Sequence, residues 1–199
     1  MTSTRIRSAA VIGCGPAGTS VALALTGAGV RVLLADPDPR AVERAAGAGA
    51  GVPLTRGAPP ADAVVVAAPP STAAEVLYTA QLLGLGRAYT TVTDGGEDGG
   101  KDAVLVREEA LLRGCDLNGY VPGRLLAHGQ GRAAAGGGPL AGRPWILNPW
   151  PTVPPEAVAA VRELVVLCGA ILLEPDPDGT GAAAPAVPQS RRCPAGTPV

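Results

Sequence analysis

Gly13, Gly15 and Gly18 stand at the spacing G-x-G-x-x-G, within Ala10-Val-Ile-Gly-Cys-Gly-Pro-Ala-Gly-Thr-Ser20. That spacing suits phosphate binding. The first glycine makes a tight turn, the second lets a pyrophosphate approach the backbone, and the third lets a helix pack closely on the preceding strand. The helix that follows offers free N–H groups and the positive end of its dipole to the phosphates. Asp36 lies 21 residues after Gly15, where this fingerprint places an acid. A carboxylate there accepts hydrogen bonds from the adenosine ribose and repels a 2′-phosphate, which points to NAD rather than NADP. The competing reading is that Asp36 and Asp38 only cap a helix or make turns in Asp-Pro-Asp-Pro. The expected cofactor contacts are Gly13, Gly15, Pro16, Ala17, Gly18 and Asp36, with Pro69 at the end of a later strand.

These residues need a strand–turn–helix to position them, and the neighbouring sequence reads that way. Ser8–Ile12 is a buried strand, Thr19–Thr26 a helix stopped by Gly27 and Gly29, and Val30–Ala35 a second strand. Pro39–Ala48 reads as a short helix and Gly47–Pro60 as loop. The continuous apolar run Asp62–Ala68 is of the kind buried on both faces of a parallel sheet. Ser71 is placed to cap a helix through Leu83, and Arg87–Thr93 is another strand. Alternating strands and helices at this rhythm predict an α/β fold with a doubly wound, mostly parallel sheet, Rossmann-like and NAD-binding.

Further along, Asp94–Lys101 reads as a glycine-rich loop. Asp102–Arg113 reads as an amphipathic helix with Val104, Leu105, Glu108, Leu111 and Leu112 on one side. Cys115–Val121 and Pro144–Asn148 read as strands, separated by a Gly/Ala-rich segment, Pro122–Arg143, long enough to be suspect as pure loop. Pro155–Leu167 is a helix with Val158, Val161, Val165 and Cys168 on its buried stripe, and Ala170–Glu174 is the last strand. Residues 1–176 are expected to form the dinucleotide-binding domain. Residues 177–199, rich in Pro, Gly and Ala, are expected to be a disordered tail.

Composition narrows the functions. The chain has 199 residues, a net charge of −1, no Phe, three Tyr and two Trp. Neither charge nor aromatic content supports binding to nucleic acid or an anionic membrane. Gly13, Gly15, Pro16 and Gly18 interrupt the first apolar stretch, which therefore reads as neither a signal peptide nor a membrane span. The four cysteines form no C-x-x-C pair, and with a single histidine no zinc pattern can be assembled. The expected setting is cytoplasmic and reducing, and the expected partner is a small molecule.

Taken together, several blocks resemble the nucleotide-binding half of actinobacterial prephenate dehydrogenases. They are the Gly13–Ser20 turn, Leu34-Ala-Asp-Pro-Asp38, Asp62-Ala-Val-Val-Val-Ala-Ala-Pro-Pro70, Arg87-Ala-Tyr-Thr90, Arg113-Gly-Cys-Asp-Leu117, Gly142-Arg-Pro-Trp-Ile-Leu147 and Leu167-Cys-Gly-Ala170. The resemblance implies an oxidoreductase of tyrosine biosynthesis acting on prephenate or arogenate. Hydride goes to NAD, a histidine takes the hydroxyl proton, a serine stands nearby, and a helical C-terminal domain closes the cleft. It also implies that the dimer surface lies in that C-terminal domain, which leaves a homodimer open for this chain.

The sequence departs from the family at the reacting residues. Aligned from Tyr89-Thr90, the family's serine falls on Asp94 and its lysine on Gly96. The family's histidine falls on Arg124, while the only histidine, His128, comes four residues later. Asp94, Arg124 and His128 are therefore the candidate catalytic residues, and catalytic competence is in question. About a third of the usual enzyme is expected to be missing. The phrasing Gly13-Cys-Gly-Pro-Ala-Gly18 also occurs in FAD-dependent oxidoreductases, which usually place Glu at the end of the second strand and need more chain to cover a flavin. The alternatives to a working dehydrogenase are a non-catalytic nucleotide-binding pseudoenzyme and a scaffold reused for a cyclase or isomerase step in secondary metabolism.

Overall fold

The computed structural model describes residues 6–95, 99–126 and 138–174, with the backbone alone over 93–95 and 99–103. The chain opens with β1 (Ser8–Ile12), α1 (Pro16–Gly27), β2 (Arg31–Ala35), α2 (Pro39–Gly47) and β3 (Val52–Pro53). It continues through β4 (Ala61–Val66), α3 (Pro70–Leu82), β5 (Gly86–Thr91), β6 (Thr93–Gly95) and α4 (Gly99–Leu112). It ends with β7 (Tyr120–Val121), β8 (Gly123–Leu126), β9 (Pro144–Leu147), α5 (Pro155–Leu167) and β10 (Ile171–Leu173).

The first sheet is parallel throughout, in the order β3-β2-β1-β4-β5-β7. The order turns back on itself between β1 and β4, where a doubly wound sheet opens its ligand crevice. β4 shows why its apolar run is continuous. Ala63 and Val65 enter one core with α1, α2 and α5, while Val64 and Val66 enter a second core with α3 and α4. Each residue is buried, so neither face of the strand can be polar. At the opposite end of β1, Asp62 accepts hydrogen bonds from Arg7 N (2.9 Å), Ser8 N (3.0 Å) and Ser8 Oγ (3.1 Å). This latches the entry of β1 to the start of β4. Burial alone would raise the Asp62 pKa, but these bonds and the Arg87 charge outweigh it and hold the carboxyl below its ordinary value.

Several local expectations are corrected. α1 begins at Pro16 rather than Thr19, because proline is preorganised for the first helical position and needs no N–H there. Ser71 caps nothing. Pro69 holds the N-cap position with no side-chain bond, and Pro70 opens α3. The loop after α2 contains β3, which pairs with β2. The single strand expected over 87–93 breaks at Val92, whose amide still bonds Val66 O at 2.8 Å. Beyond Val92 the chain enters a second sheet, in the order β10-β9-β8-β6. That sheet includes β6, read from sequence as loop, and β8, read as part of a structureless segment. Only Tyr120–Val121 of the expected strand 115–121 pairs in the first sheet.

The buried side of α4 is also not the expected one. Val106 and Ala110 are buried, whereas Val104, Leu105, Leu111 and Leu112 are exposed. The helix packs beside α3, whose inward residues include Ala73, Ala74 and Ala80. Small side chains on both helices allow close approach, and this outweighs the larger apolar stripe. α5 forms as expected, with Val158, Val161, Val165 and Cys168 all buried. Arg107 of α4 stacks its guanidinium 4.2 Å from the Trp150 ring centroid, tying α4 to the loop after β9. The expected tail (177–199) and His128 lie outside the described residues. Among the described residues, no helix is long and apolar enough to cross a membrane.

Candidate functional site

The glycine turn joins the end of β1 to α1. Gly13 has φ +105°, a conformation L side chains rarely adopt, and a Cβ there would collide with the Ala67 carbonyl. A Cβ on Gly18 would collide with the Gly13 carbonyl and press on Ala67 Cβ at 3.0 Å. Gly15 differs from both. Its φ of −70° is ordinary, and a Cβ there would meet nothing within 4 Å. The protein leaves the space beside Gly15 open, as a ligand approaching the backbone requires.

Accounting for the amides locates the anion site. Gly13 N donates to Ala35 O (2.8 Å), Cys14 N to Asp36 Oδ2 (2.7 Å) and Thr19 N to Gly15 O (2.9 Å). Pro16 has no N–H. The amides of Gly15, Ala17 and Gly18 therefore have no acceptor among the described residues. They lie together at the positive end of the α1 dipole, where an anion is stabilised.

Asp36 has a clear place in this arrangement. Besides holding Cys14 N, it accepts from Asp38 N through Oδ1 at 2.8 Å. Asp38, not Asp36, is the N-cap of α2, accepting from Arg40 N at 3.0 Å. Asp36 thus braces the glycine turn against the turn after β2. Each of its oxygens keeps a second lone-pair direction for a ligand hydroxyl. Beside it, burial and then the Asp36 charge raise the pKa of the Cys14 thiol, so this cysteine stays protonated and unreactive.

From the turn a groove of about 700 Å³ runs between the end of β2 and α3. Gly13, Gly15, Asp36 and Pro69 line it, as does Leu54 from the segment after β3, a wall residue in a stretch whose sequence reads only as loop. Among the described residues no lysine or arginine lines the groove, and the ionisable lining residues are Asp36 and Glu75. Volume, apolar walls, free amides and acidic end together fit an adenosine diphosphate moiety without a 2′-phosphate.

The candidate reacting residues sit on the second sheet. β6 and β8 are parallel neighbours, with Thr93 opposite Arg124 and Asp94 opposite Leu125. Asp94 and Arg124 are therefore one step apart on adjacent strands. Arg124 is half-buried and makes no hydrogen bond or ion pair with a described residue. Gly96 and His128 lie outside the described residues. The support beneath β8 is well defined. Gly123 N bonds Thr91 Oγ1 (3.4 Å), whose hydroxyl also bonds Tyr120 OH at 3.0 Å. Burial pushes the Tyr120 pKa up to about 12 against the smaller opposing effect of the Thr91 bond, so Tyr120 is a neutral structural hydroxyl. Among the described residues, no three His, Cys, Asp or Glu side chains group to hold a metal.

A family model described as prephenate dehydrogenase, nucleotide-binding domain, matches residues 21–174. The match begins just after the glycine turn and includes Asp36, β6 and β8. A probable prephenate dehydrogenase from Streptomyces niveus, NovF, is 40% identical over 170 residues. The aligned region is 83% of this chain and 44% of that protein, so the chain spans less than half of the relative's length. Among solved structures, the Aquifex aeolicus prephenate dehydrogenase bound to hydroxyphenyl propionate and NAD+ superposes with a TM-score of 0.62 at 17% identity. That superposition covers 87% of this chain and 61% of the other. The Synechocystis arogenate dehydrogenase gives 0.63 at 17% identity, covering 84% and 59%. At such identities the two structures establish a shared fold. The family match covers most of the chain, and the 40% relative is described as a probable prephenate dehydrogenase. The chain belongs to the family of prephenate dehydrogenase nucleotide-binding domains.

Proposed function

We infer that this chain is an NAD-binding protein of the prephenate/arogenate dehydrogenase type, an oxidoreductase scaffold whose cofactor half is complete and whose reacting residues are altered. One observation carries this reading. Among the described residues the amides of Gly15, Ala17 and Gly18 have no acceptor, and they stand at the N-terminus of α1 next to a groove lined by Gly15 and Asp36. The pyrophosphate would lie on those amides, and the ribose hydroxyls would donate to Asp36. Bound there, NAD supplies a nicotinamide ring that accepts hydride.

The second half of the chemistry is where this chain differs. Oxidation of a ring alcohol needs a group that takes the hydroxyl proton as hydride leaves, and its loss removes about 10²- to 10⁴-fold of rate. Arg124 stands where the family's histidine is expected, and a guanidinium cannot act as that base. Half-buried and without a partner among the described residues, Arg124 is suited to hold a substrate carboxylate. This favours binding over turnover. It also keeps alive a second reading, in which Asp94 and Arg124 serve a cyclase or isomerase step in secondary metabolism. A role in tyrosine biosynthesis would require the full proton relay.

Two measurements test the assignment. Titration calorimetry with NAD is expected to show saturable binding, and no heat at millimolar NAD overturns the cofactor reading. An assay for NADH formation with prephenate or arogenate is expected to show turnover at least about 10²-fold below that of an enzyme with the complete set. Full-speed turnover would show that the altered residues are catalytically sufficient.

A further inference from the structure

Glu75 is unaccounted for by the phosphate turn and by Asp36. α3 presents Thr72, Glu75, Val76, Thr79, Ala80 and Leu83 to the groove, at the i, i+3, i+4, i+7, i+8, i+11 spacing of one helix face. Among these, Glu75 is the only ionisable group, and it makes no hydrogen bond or ion pair with any described residue. The wall across from α3 is apolar, built from Pro37 and Leu54. A carboxylate with no partner among the described residues, flanked by Thr72 and Thr79 on the groove face of α3, is a feature the fold itself does not need.

We propose that Glu75 is a specificity residue that reads the edge of the purine, selecting adenine by accepting a hydrogen bond from its exocyclic amine. The chemistry follows from the lining. With the pyrophosphate on the turn amides and the ribose on Asp36, the base lies beyond Asp36, between Leu54 and α3. Its flat faces meet Leu54 and Val76, and its polar edge meets the row Thr72, Glu75 and Thr79. An ionised carboxylate can only accept hydrogen bonds. Adenine offers an N6 amine as donor at that edge, whereas hypoxanthine presents a carbonyl oxygen at the same position. Facing Glu75, that oxygen is an acceptor against an acceptor. The inference rests on a dinucleotide occupying the groove but not on any catalytic activity.

The test is calorimetric titration of the full chain with NAD and with nicotinamide hypoxanthine dinucleotide, in which a C6 carbonyl replaces the amine and N1 carries a proton. Glu75 is solvent-exposed, so the bond belongs at the weak end for a charged acceptor, about tenfold in affinity. The unaltered chain is expected to prefer NAD by about tenfold. Glu75→Ala is expected to weaken NAD binding by about that factor, leave the hypoxanthine analogue unchanged, and preserve the helical circular-dichroism signal, since alanine is the best helix former. Glu75→Gln is expected to improve binding of the analogue, because its side-chain amide can donate to the carbonyl oxygen. Equal affinity of the unaltered chain for both dinucleotides overturns the proposal, as does a Glu75→Ala variant that keeps the preference. Failure of both dinucleotides to bind removes the occupancy reading and this proposal with it, an outcome distinct from equal binding.

Discussion

Gly15 and Gly18 belong to one motif, yet alanine at each should produce opposite defects. At Gly15 the backbone already has φ −70° and ψ −174°, which alanine adopts without strain, and a Cβ would meet no protein atom within 4 Å. Replacing glycine at a compatible position gains about 0.4–1 kcal/mol through the unfolded state. Losing glycine at an N-cap costs a similar few tenths, so Gly15→Ala should change stability by less than about 1 kcal/mol. The methyl would instead occupy the space a pyrophosphate needs in order to reach the amides of Gly15, Ala17 and Gly18. Losing even one charge-assisted bond of about 1.5–3 kcal/mol weakens NAD binding roughly 10- to 150-fold. At Gly18 the added carbon would run into the Gly13 carbonyl and the Ala67 methyl, both on rigid, packed backbone. Relief requires moving α1 off the sheet, so Gly18→Ala should cost about 3 kcal/mol or more and reduce binding as a consequence. Urea unfolding of the two variants, paired with NAD titration, separates the cases. A Gly15→Ala chain that binds NAD as well as the unaltered chain would refute the placement of the pyrophosphate. A Gly15→Ala chain destabilised like Gly18→Ala would refute the geometry of the turn.

Three further outcomes follow from named contacts. Asp36→Asn leaves two backbone donors, Cys14 N and Asp38 N, facing one carbonyl and one amide group, so one bond must be lost. Stability should fall by about 1–2 kcal/mol, and the ratio of NADP to NAD affinity should rise with removal of the charge, both readable by chemical denaturation and titration. Asp62 has a depressed pKa in the folded state, so its contribution to stability is present above the unfolded value of about 3.9 and is lost as pH falls through the folded pKa. Asp62→Asn should therefore flatten the acid limb of the stability profile below about pH 4 while lowering stability at neutral pH. Cys14, Cys115 and Cys168 are buried thiols whose pKa values burial raises, that of Cys168 to about 12. At pH 8, peptide mapping after iodoacetamide treatment should find these three unlabelled in the native chain and labelled after unfolding.

The first half of the fold was legible because each element there has a local cause. β1, β2 and β4 are apolar runs bounded by Gly, Asp or Pro, and the glycine spacing dictates the turn between strand and helix. The second half depends on long-range pairing. β6 is Thr93-Asp-Gly95 and β8 is Gly123-Arg-Leu-Leu126, segments with weak strand character that become strands by lying beside each other and beside β9. α4 misleads in the same way. Its larger apolar residues suggest a buried stripe, but tight packing on the alanines of α3 favours Val106 and Ala110 instead, and the larger side chains remain exposed. The candidate site inherits this split. Its binding half is written as backbone geometry, which sequence spacing records. Its reacting half depends on which residues of two non-adjacent segments meet, and spacing does not record that. Aligning Arg124 with the family's histidine made it a candidate. The pairing of β6 with β8 then sets it one residue from Asp94 across two strands, and among the described residues its guanidinium has no hydrogen-bond or ion-pair partner. A half-buried guanidinium with no partner among the described residues is well placed to take an anion. The predicted consequence can be measured without any turnover. Adding a dicarboxylate to the NAD-bound chain should raise its melting temperature, and Arg124→Ala should abolish that rise without changing NAD affinity. An unchanged rise in Arg124→Ala would place the carboxylate elsewhere.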